Sequence, residues 1–206
     1  LAAGQGKRMG SDRPKGLINI GGQSTLGRLS DVARGATGNT AIVVVGHKQE
    51  EIRKAFGDTF IYAEQAQQLG TANALLAAKS ACADRARILV LYGDHPFVTL
   101  QTAKNLIGKS KNTGAKITLA TTEVPNFEND YKIFLTFARV IRKEGQIVEI
   151  KEYKDTTEIE KNIKEVNPGY YVFQSDWLWP NLEKVRNNNA QGEYYLTDLL
   201  RIAKEQ

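Results

Sequence analysis

The sequence predicts an α/β fold: a mixed, mostly parallel sheet flanked by helices, with a small α+β subdomain at the C-terminal end. Three observations predict it. Short β-branched runs such as Ala41–Gly46 (AIVVVG) and Arg87–Tyr92 (RILVLY) alternate with helix-like segments through the first part of the chain, the pattern of βαβ units. After about Phe134 the texture changes to a hairpin and further short strands. No Gly/Ser/Pro linker cuts the 206 residues, so one domain over 1–206 is expected, in two halves, 1–133 and 134–206.

The elements follow in order. Ala41–Gly46 is a buried strand, because it is apolar throughout rather than alternating. Gln49–Phe56 is a short helix. Thr71–Ala83 is rich in Ala and Leu and free of Pro and Gly, which predicts a helix. Arg87–Tyr92 is a second buried strand, closed by Gly93-Asp94. Leu100–Lys109 is a helix and Lys116–Thr121 a third strand. Arg139–Ile150 predicts a hairpin, RVIRK and QIVEI, turning at Glu144-Gly145. Asn167–Phe173 is a short strand behind a turn. Ser175–Val185 and Tyr195–Lys204 are helices.

Composition excludes several classes. Apolar residues make up 41% and charged residues 25%, which rules out a disordered chain and a collagen-like repeat. Cys82 is the only cysteine, so no internal disulfide forms, and a reducing, cytoplasmic compartment is expected. In mid-helix it reads as a small buried hydrophobe. No run approaches the ~18–20 apolar residues that cross a bilayer, so no membrane partner is expected. The net charge is +5, but residues 1–150 carry 20 basic and 13 acidic side chains, against 8 and 10 in 151–206. A basic first part suits an anionic partner. The basic residues are dispersed and lack interleaved aromatics, which argues against nucleic acid.

The opening, LAAGQGKRMGSDRPKGL over Leu1–Leu17, combines small residues that let backbone approach a ligand with two fixed cations, Arg8 and Lys15. Such a loop can hold a polyphosphate through backbone N–H groups and positive charge. It lacks the Gly-Lys-Ser/Thr of a P-loop, and its third glycine is one position late for a dinucleotide fingerprint. The bland alternative is an ordinary turn with solvated basic residues. Downstream, Gln65-Ala-Gln-Gln-Leu-Gly-Thr-Ala-Asn-Ala74 offers glutamine amides that both donate and accept, which suits a pyrimidine edge. Gly70-Thr71 precedes a helix, where Thr71 also reads as a simple N-cap. Tyr92-Gly93-Asp94 ends a buried strand, where open α/β sheets bind ligands. An aspartate there suits Mg²⁺, which takes one or two carboxylates plus phosphate oxygens and water; the alternative is an Asx-turn.

Together with EYKD (Glu152–Asp155), EVNPGYY (Glu165–Tyr171) and NNNAQGEYYLTD (Asn187–Asp198), these motifs run in an order that resembles the sugar-nucleotidyltransferase superfamily. Over nearly the whole chain they resemble the N-terminal uridyltransferase domain of the bacterial bifunctional N-acetylglucosamine-1-phosphate uridyltransferase/glucosamine-1-phosphate acetyltransferases. The resemblance implies a GT-A-like (Rossmann-like) fold with a nucleotide-binding half, 1–133, and a sugar-binding half, 134–206. It implies Mg²⁺-dependent synthesis of UDP-N-acetylglucosamine and pyrophosphate from UTP and N-acetylglucosamine 1-phosphate, a cell-wall precursor reaction. By the match, Arg8, Lys15 and Asp94 are catalytic, and Asp94 is the metal ligand. Leu1, Ala2, Ala3, Gly4, Gln65, Gln68, Gly70 and Thr71 fall at nucleotide positions, with Tyr92 and Gly93 beside them. Ala138, Glu152, Asn167, Tyr195 and Thr197 fall on the sugar side. A phosphomonoester is already ionised near neutral pH, so no general base is required and neither His47 nor His95 is assigned a catalytic part.

The sequence departs from the family pattern at four places. Lys7 stands where a small hydroxyl residue is usual, and Asn73 where a His is common. Thr136-Phe137-Ala138-Arg139 replaces Gly-Tyr-Gly-Arg on the sugar side. The family's second metal ligand, an Asn, falls beyond Gln206, as does the left-handed β-helix that builds the trimer. The chain is therefore expected to match a domain extending past both its ends and to be monomeric. These departures leave two alternatives open: a uridylyltransferase for another sugar 1-phosphate, and a non-catalytic nucleotide-sugar-binding module.

Overall fold

A computed structural model of the chain describes residues 1–4 and 13–206. A small antiparallel hairpin, β1 (Asn19–Ile20) and β2 (Gln23–Ser24), leads into α1 (Thr25–Thr37). The Ser24 hydroxyl caps that helix by accepting from the Gly27 amide, which satisfies one of the orphan donors of the first turn. Then β3 (Ile42–Val45), α2 (Gln49–Phe56) and β4 (Ile61–Glu64) form a unit whose strands pair in parallel, Ile42 opposite Ile61 through Val45 opposite Glu64. α3 (Thr71–Ala77), β5 (Arg87–Val90), α4 (Leu100–Thr113), β6 (Ile117–Leu119) and β7 (Thr122–Glu123) follow. In the C-terminal part, β8 (Ala138–Lys143) and β9 (Gln146–Lys151) make the expected hairpin, turning at Glu144 and Gly145, both at positive φ. β10 (Glu165–Asn167), β11 (Tyr171–Gln174), α5 (Ser175–Leu182) and α6 (Leu199–Lys204) complete the chain.

The α/β class holds, and the sheet is mixed. The segment at Leu1–Ala3 joins its parts: Leu1 N–H donates to Leu91 O at 2.7 Å, Gly93 N–H donates to Leu1 O at 2.8 Å, and Ala2 N–H donates to Val44 O at 2.8 Å. The first two bonds have the staggered pattern of a parallel pair. Antiparallel pairing is more extensive than helix–strand alternation predicts. β11 inserts between β5 and β6, antiparallel to both, so two strands that alternation would make neighbours are separated by one from the far end of the chain. Tyr171, Val172 and Phe173 are almost fully buried, as a central strand covered on both faces requires. A second sheet, in the order β7-β10-β8-β9, is antiparallel throughout.

Several boundaries differ from expectation: α5 ends at Leu182 rather than Val185, α6 begins at Leu199 rather than Tyr195 after a 3₁₀ turn over Leu196–Asp198, and three further differences have clear local reasons. The helix expected over Thr71–Ala83 ends as α3 at Ala77, where Ala78 and Lys79 bond back to Leu75 and Leu76 and a 3₁₀ turn follows over Ser80–Cys82; these tighter bonds stop α-helical winding. The single strand expected over Asn167–Phe173 is β10 and β11, parted by Pro168–Tyr170, because Pro168 has no N–H to give a ladder. α4 runs on to Thr113 until Gly114 caps it in the left-handed region. The elements α1, β1, β2, β4 and β7 had no clear sequence signal.

The main core lies among α3, β5, β11, α5 and α6, with Leu178 and Leu199 fully enclosed and Cys82 buried among them. A smaller core of Leu26, Val43, Val45, Ile52 and Phe60 lies beneath β3. The largest fully buried side chain is charged: Arg139, on β8. Its guanidinium donates to the carbonyls of Lys161, Leu135 and Phe137. The rings of Phe127 and Tyr153 lie 4.3 and 5.2 Å from it. Burial pushes its pKa down, yet a guanidinium keeps its proton in a protein. Carbonyl dipoles and ring faces therefore compensate the charge and hold the Leu135–Phe137 segment in place. Replacing Arg139 with Lys removes the planar fork and strands carbonyls in the interior. Arg139→Lys should lose about 2–4 kcal/mol of stability, read by urea unfolding; a loss below ~1 kcal/mol would contradict this account.

Candidate active site

The carboxyl ends of β4 and β5 open on a cleft of about 600 Å³. It brings together the residues expected on the nucleotide side. Leu1, Ala2, Ala3 and Gly4 form one wall; Gln65, Gln68, Gly70 and Thr71 form another; Tyr92, Gly93, Asp94 and Lys15 complete it. Arg8 lies outside the described residues. Gly16, Ala74 and Glu193 also line the cleft; they lie within the quoted motifs, but the sequence assigned them no role. A second cavity of about 200 Å³ lies between β3 and β5, walled mostly by apolar side chains such as Leu29, Val43 and Ile88, with Arg85 and Arg87 but no carboxylate, so it offers no carboxylate to a metal.

The charged centre is one ion pair: Lys15 Nζ donates to Asp94 Oδ2 at 2.8 Å. Partial burial works to raise the Asp94 pKa, but the Lys15 ammonium and His95 outweigh it and hold the carboxyl below its usual range. Asp94 thus stays anionic at the end of β5. One carboxylate is a sufficient protein share for a hard cation that takes its other ligands from phosphate oxygens and water. Among the described residues no group of three or more His, Cys, Asp or Glu could cage a metal alone. The donor set therefore fits Mg²⁺ carried with a polyphosphate, with Asp94 as its protein ligand.

The glutamines are braced from behind. Gln65, 6% exposed, donates through Nε2 to Gly70 O and Asn73 Oδ1. Gln68 donates through Nε2 to Ala3 O at 2.7 Å. A backbone carbonyl only accepts, so each amide nitrogen is turned to the protein, leaving the Oε1 ends outside these bonds. The start of α3 is likewise committed. Ala72 N–H donates to Tyr194 O, Tyr194 N–H donates to Leu69 O, and Leu196 N–H donates to Thr71 Oγ1. Gly70 sits at φ 114°, where a Cβ would come within 2.5 Å of Tyr194 O. The NNNAQGEYYLTD loop is thus clamped onto the GTA turn, and the Ala72 amide and Thr71 hydroxyl bind protein rather than stand open.

The sugar-side candidates gather behind Tyr92, deeper than the cleft wall. Ala138 on β8 pairs with Asn167 on β10. Asn167 donates to the Tyr171 hydroxyl at 2.5 Å, and its Oδ1 accepts from Gly169 N–H. Burial pushes the Tyr92 pKa up, and the nearby Thr71 and Tyr171 side chains act against it, so Tyr92 lies among the same buried polar groups as Tyr171 and Asn167. Tyr171 was not foreseen; in sequence it is one more residue of an apolar strand. Thr197 Oγ1 donates to Glu152 Oε1 at 3.3 Å, and the Tyr195 hydroxyl accepts from Gln191. Burial pushes Glu152 up to about 7, with Asp155, Asp198 and Glu193 adding repulsion against the Thr197 bond. Burial also raises Tyr195 to about 12. His47 is exposed after β3.

Residues 1–199 match the family model described as the MobA-like NTP transferase domain. The chain is 39% identical to the bifunctional protein GlmU of Alkaliphilus metalliredigens, over 100% of this chain and 44% of that protein. It is 41% identical to that of Cupriavidus taiwanensis, over 98% and 43%. It therefore spans less than half the length of these curated relatives. A solved UDP-glucose pyrophosphorylase complexed with UDP-glucose superposes with TM-score 0.75 at 19% identity, covering 100% of this chain and 85% of the other. The apo form of a UDP-glucose pyrophosphorylase gives 0.69 at 18%, with the same coverage. At such identity the structures show the fold.

The raised pKa of Glu152 sets the sign of a stability change. The folded state holds its proton up to about pH 7, whereas the unfolded carboxyl releases it near 4.3. Between those values the native state binds more protons, so stability falls as pH rises. The melting temperature should drop by ~5 °C or more between pH 5 and 8, and Glu152→Gln should remove most of that drop. Parallel melting curves of the two proteins would refute the assignment.

Proposed function

The chain belongs to the MobA-like NTP transferase domain family, and from that premise we propose that it joins UTP and N-acetylglucosamine 1-phosphate into UDP-N-acetylglucosamine and pyrophosphate. The observation that carries this reading is the single cleft that unites Leu1–Gly4, the paired glutamines and the Lys15–Asp94 pair. The likeness to bifunctional GlmU proteins over the whole chain supports the choice of sugar and base.

A phosphate oxygen of the sugar phosphate attacks the α-phosphorus of UTP. The new P–O bond forms as the bond to the β-phosphate bridging oxygen breaks, and that oxygen leaves with pyrophosphate. Such a reaction calls for positioning and charge neutralisation rather than a protein nucleophile. Asp94 would hold a Mg²⁺ ion, which would neutralise charge on the phosphates. Lys15 balances charge growing toward pyrophosphate, and Arg8 is assigned to the same triphosphate. Gln65 and Gln68, fixed through their nitrogens, present carbonyl oxygens that accept from an N–H on the base edge. Glu152, poised near neutral pH, meets a sugar hydroxyl as either donor or acceptor.

One observation favours a second reading. Ala138 puts a methyl group where relatives of this kind have glycine, and it is buried against the sugar-side strand pair. A different sugar 1-phosphate is the reading this favours.

Pyrophosphate release with UTP should be faster with N-acetylglucosamine 1-phosphate than with glucose 1-phosphate; the reverse order would move the assignment to the second sugar. Calorimetry should rank UTP above CTP and GTP, and a preference for CTP or GTP would overturn the base assignment. Asp94→Asn should cost about 10²-fold or more in turnover with little change in melting. Lys15→Ala should lower turnover and raise the KM for UTP together. Full activity in either variant would remove that residue from the mechanism.

A further inference from the structure

Beside the metal-holding aspartate stands a side chain to which no role has been given. His95 follows Asp94 directly, is 24% exposed at its side chain, and is held on every side. Its Nδ1 lies 2.7 Å from Pro168 O. Its ring stacks on Phe137 at 5.5 Å with an interplanar angle of 3°. The rings of Tyr92 and Tyr170 meet it edge-on at 5.9 and 6.0 Å. Its backbone amide closes the turn onto Tyr92 O at 3.0 Å.

The chemistry fixes which nitrogen carries the hydrogen. Pro168 O can only accept, so Nδ1 is the donor and Nε2 is the end turned away from Pro168. Nε2 stands 3.9 Å from Asp94 Oδ1, beyond hydrogen-bond reach. Among the described residues His95 makes its direct side-chain hydrogen bond across the molecule, to the turn between β10 and β11. Asn167 ends β10 immediately before that turn, and the stacked Phe137 precedes Ala138. One imidazole thus ties the end of β5 to both backbone segments that bear the sugar-side candidates.

We propose that His95 is a positioning residue: through Nδ1 and its stack on Phe137 it sets the distance between Asp94 and the sugar-side segments Phe137–Ala138 and Asn167–Pro168. It touches no substrate. Its loss lets those two segments move relative to Asp94 while leaving the nucleotide wall, which is braced by Gln65, Gln68 and the Tyr194 clamp, as it is. The consequence is selective: the sugar end of a nucleotide sugar loses grip and the nucleoside triphosphate does not. This rests on the uridylyltransferase reading above.

The test separates the bond from the ring. His95→Phe keeps an aromatic face for Phe137 and loses the donor. His95→Asn loses the ring and keeps an N–H donor at the Nδ1 position. Affinities for UTP and for UDP-N-acetylglucosamine are measured separately by calorimetry, and melting is followed for each protein. His95→Phe should bind UDP-N-acetylglucosamine about tenfold more weakly, the effect of one lost hydrogen bond, with UTP within about twofold. His95→Asn should recover most of the loss. Should His95→Phe not fold, His95→Gln, whose amide reaches the Nε2 position instead, takes its place with the same expected loss. Unchanged sugar-nucleotide affinity, equal weakening of both ligands, or no recovery in His95→Asn would each overturn the proposal while leaving the function intact. A wild-type protein that binds UTP but no nucleotide sugar would overturn the uridylyltransferase reading and this role with it.

Discussion

The insertion of β11 between β5 and β6 is the constraint on which the rest of the molecule depends. Tyr171 pairs with Val90 on one side and Leu119 on the other, so a strand from the C-terminal half becomes the centre of the first half's sheet. Only Pro168–Tyr170 separates β10 from β11, which leaves the turn no freedom to lie elsewhere than against the end of β5. Gly169 makes the fit possible: at φ 79° it lies so flat on the Tyr92 ring that a Cβ would be 2.3 Å from it. The turn that follows Asn167 is consequently packed on the residue two before Asp94. Proximity of the two sides is a property of strand order, not of loop placement.

A second connection works in the opposite direction. The loop before α6 braces itself first: Asn189 accepts from the Gln191 and Glu193 amides, and Asp155 accepts from Ala190 N–H. It then hands its backbone to the turn before α3 through Tyr194 and Leu196. A short helix of seven residues would not stand alone; here its first turn is satisfied by a distant segment. The nucleotide wall is therefore finished by residues from the end of the chain.

The legible part of the fold was the part governed by local pattern. AIVVVG and RILVLY could only be buried strands, and Glu144-Gly145 could only be a tight turn, because those readings rest on periodicity and on φ alone. The nucleotide cleft was legible for a related reason. Its motifs follow strand ends, and strand ends converge at one edge of an α/β sheet. Strand order was not legible, since nothing within YYVF says which neighbours it will take. Arg139 shows the same limit on the scale of one side chain. In the sequence it is a charge at the head of a hairpin, and its burial depends on carbonyls from Leu135 and Lys161 and rings from Phe127 and Tyr153 that only tertiary structure brings there. The glutamines and Thr71 share one cleft, as the motifs implied, but their hydrogen-bond commitments belong to Asn73, Ala3 and Leu196, contacts that no spacing announces.

Two carboxyls near the cleft are pushed in opposite directions, Asp94 down by its ammonium partner and Glu152 up to about 7 by burial. Under the proposed function, that separation would put an anion where positive charge is held and a group able to donate or accept where sugar hydroxyls are met. The Lys15–Asp94 pair is also weak enough to be exchanged. With the side chains 27% and 40% exposed, such a pair contributes about 0–1 kcal/mol. A triphosphate offers Lys15 several anionic oxygens within a partly dehydrated cleft, a stronger attraction than one half-solvated carboxylate. Under the proposed function, Lys15 would turn from Asp94 to phosphate at little cost, freeing the carboxylate for a cation. The pair keeps each charge neutralised and in position before the ligand enters.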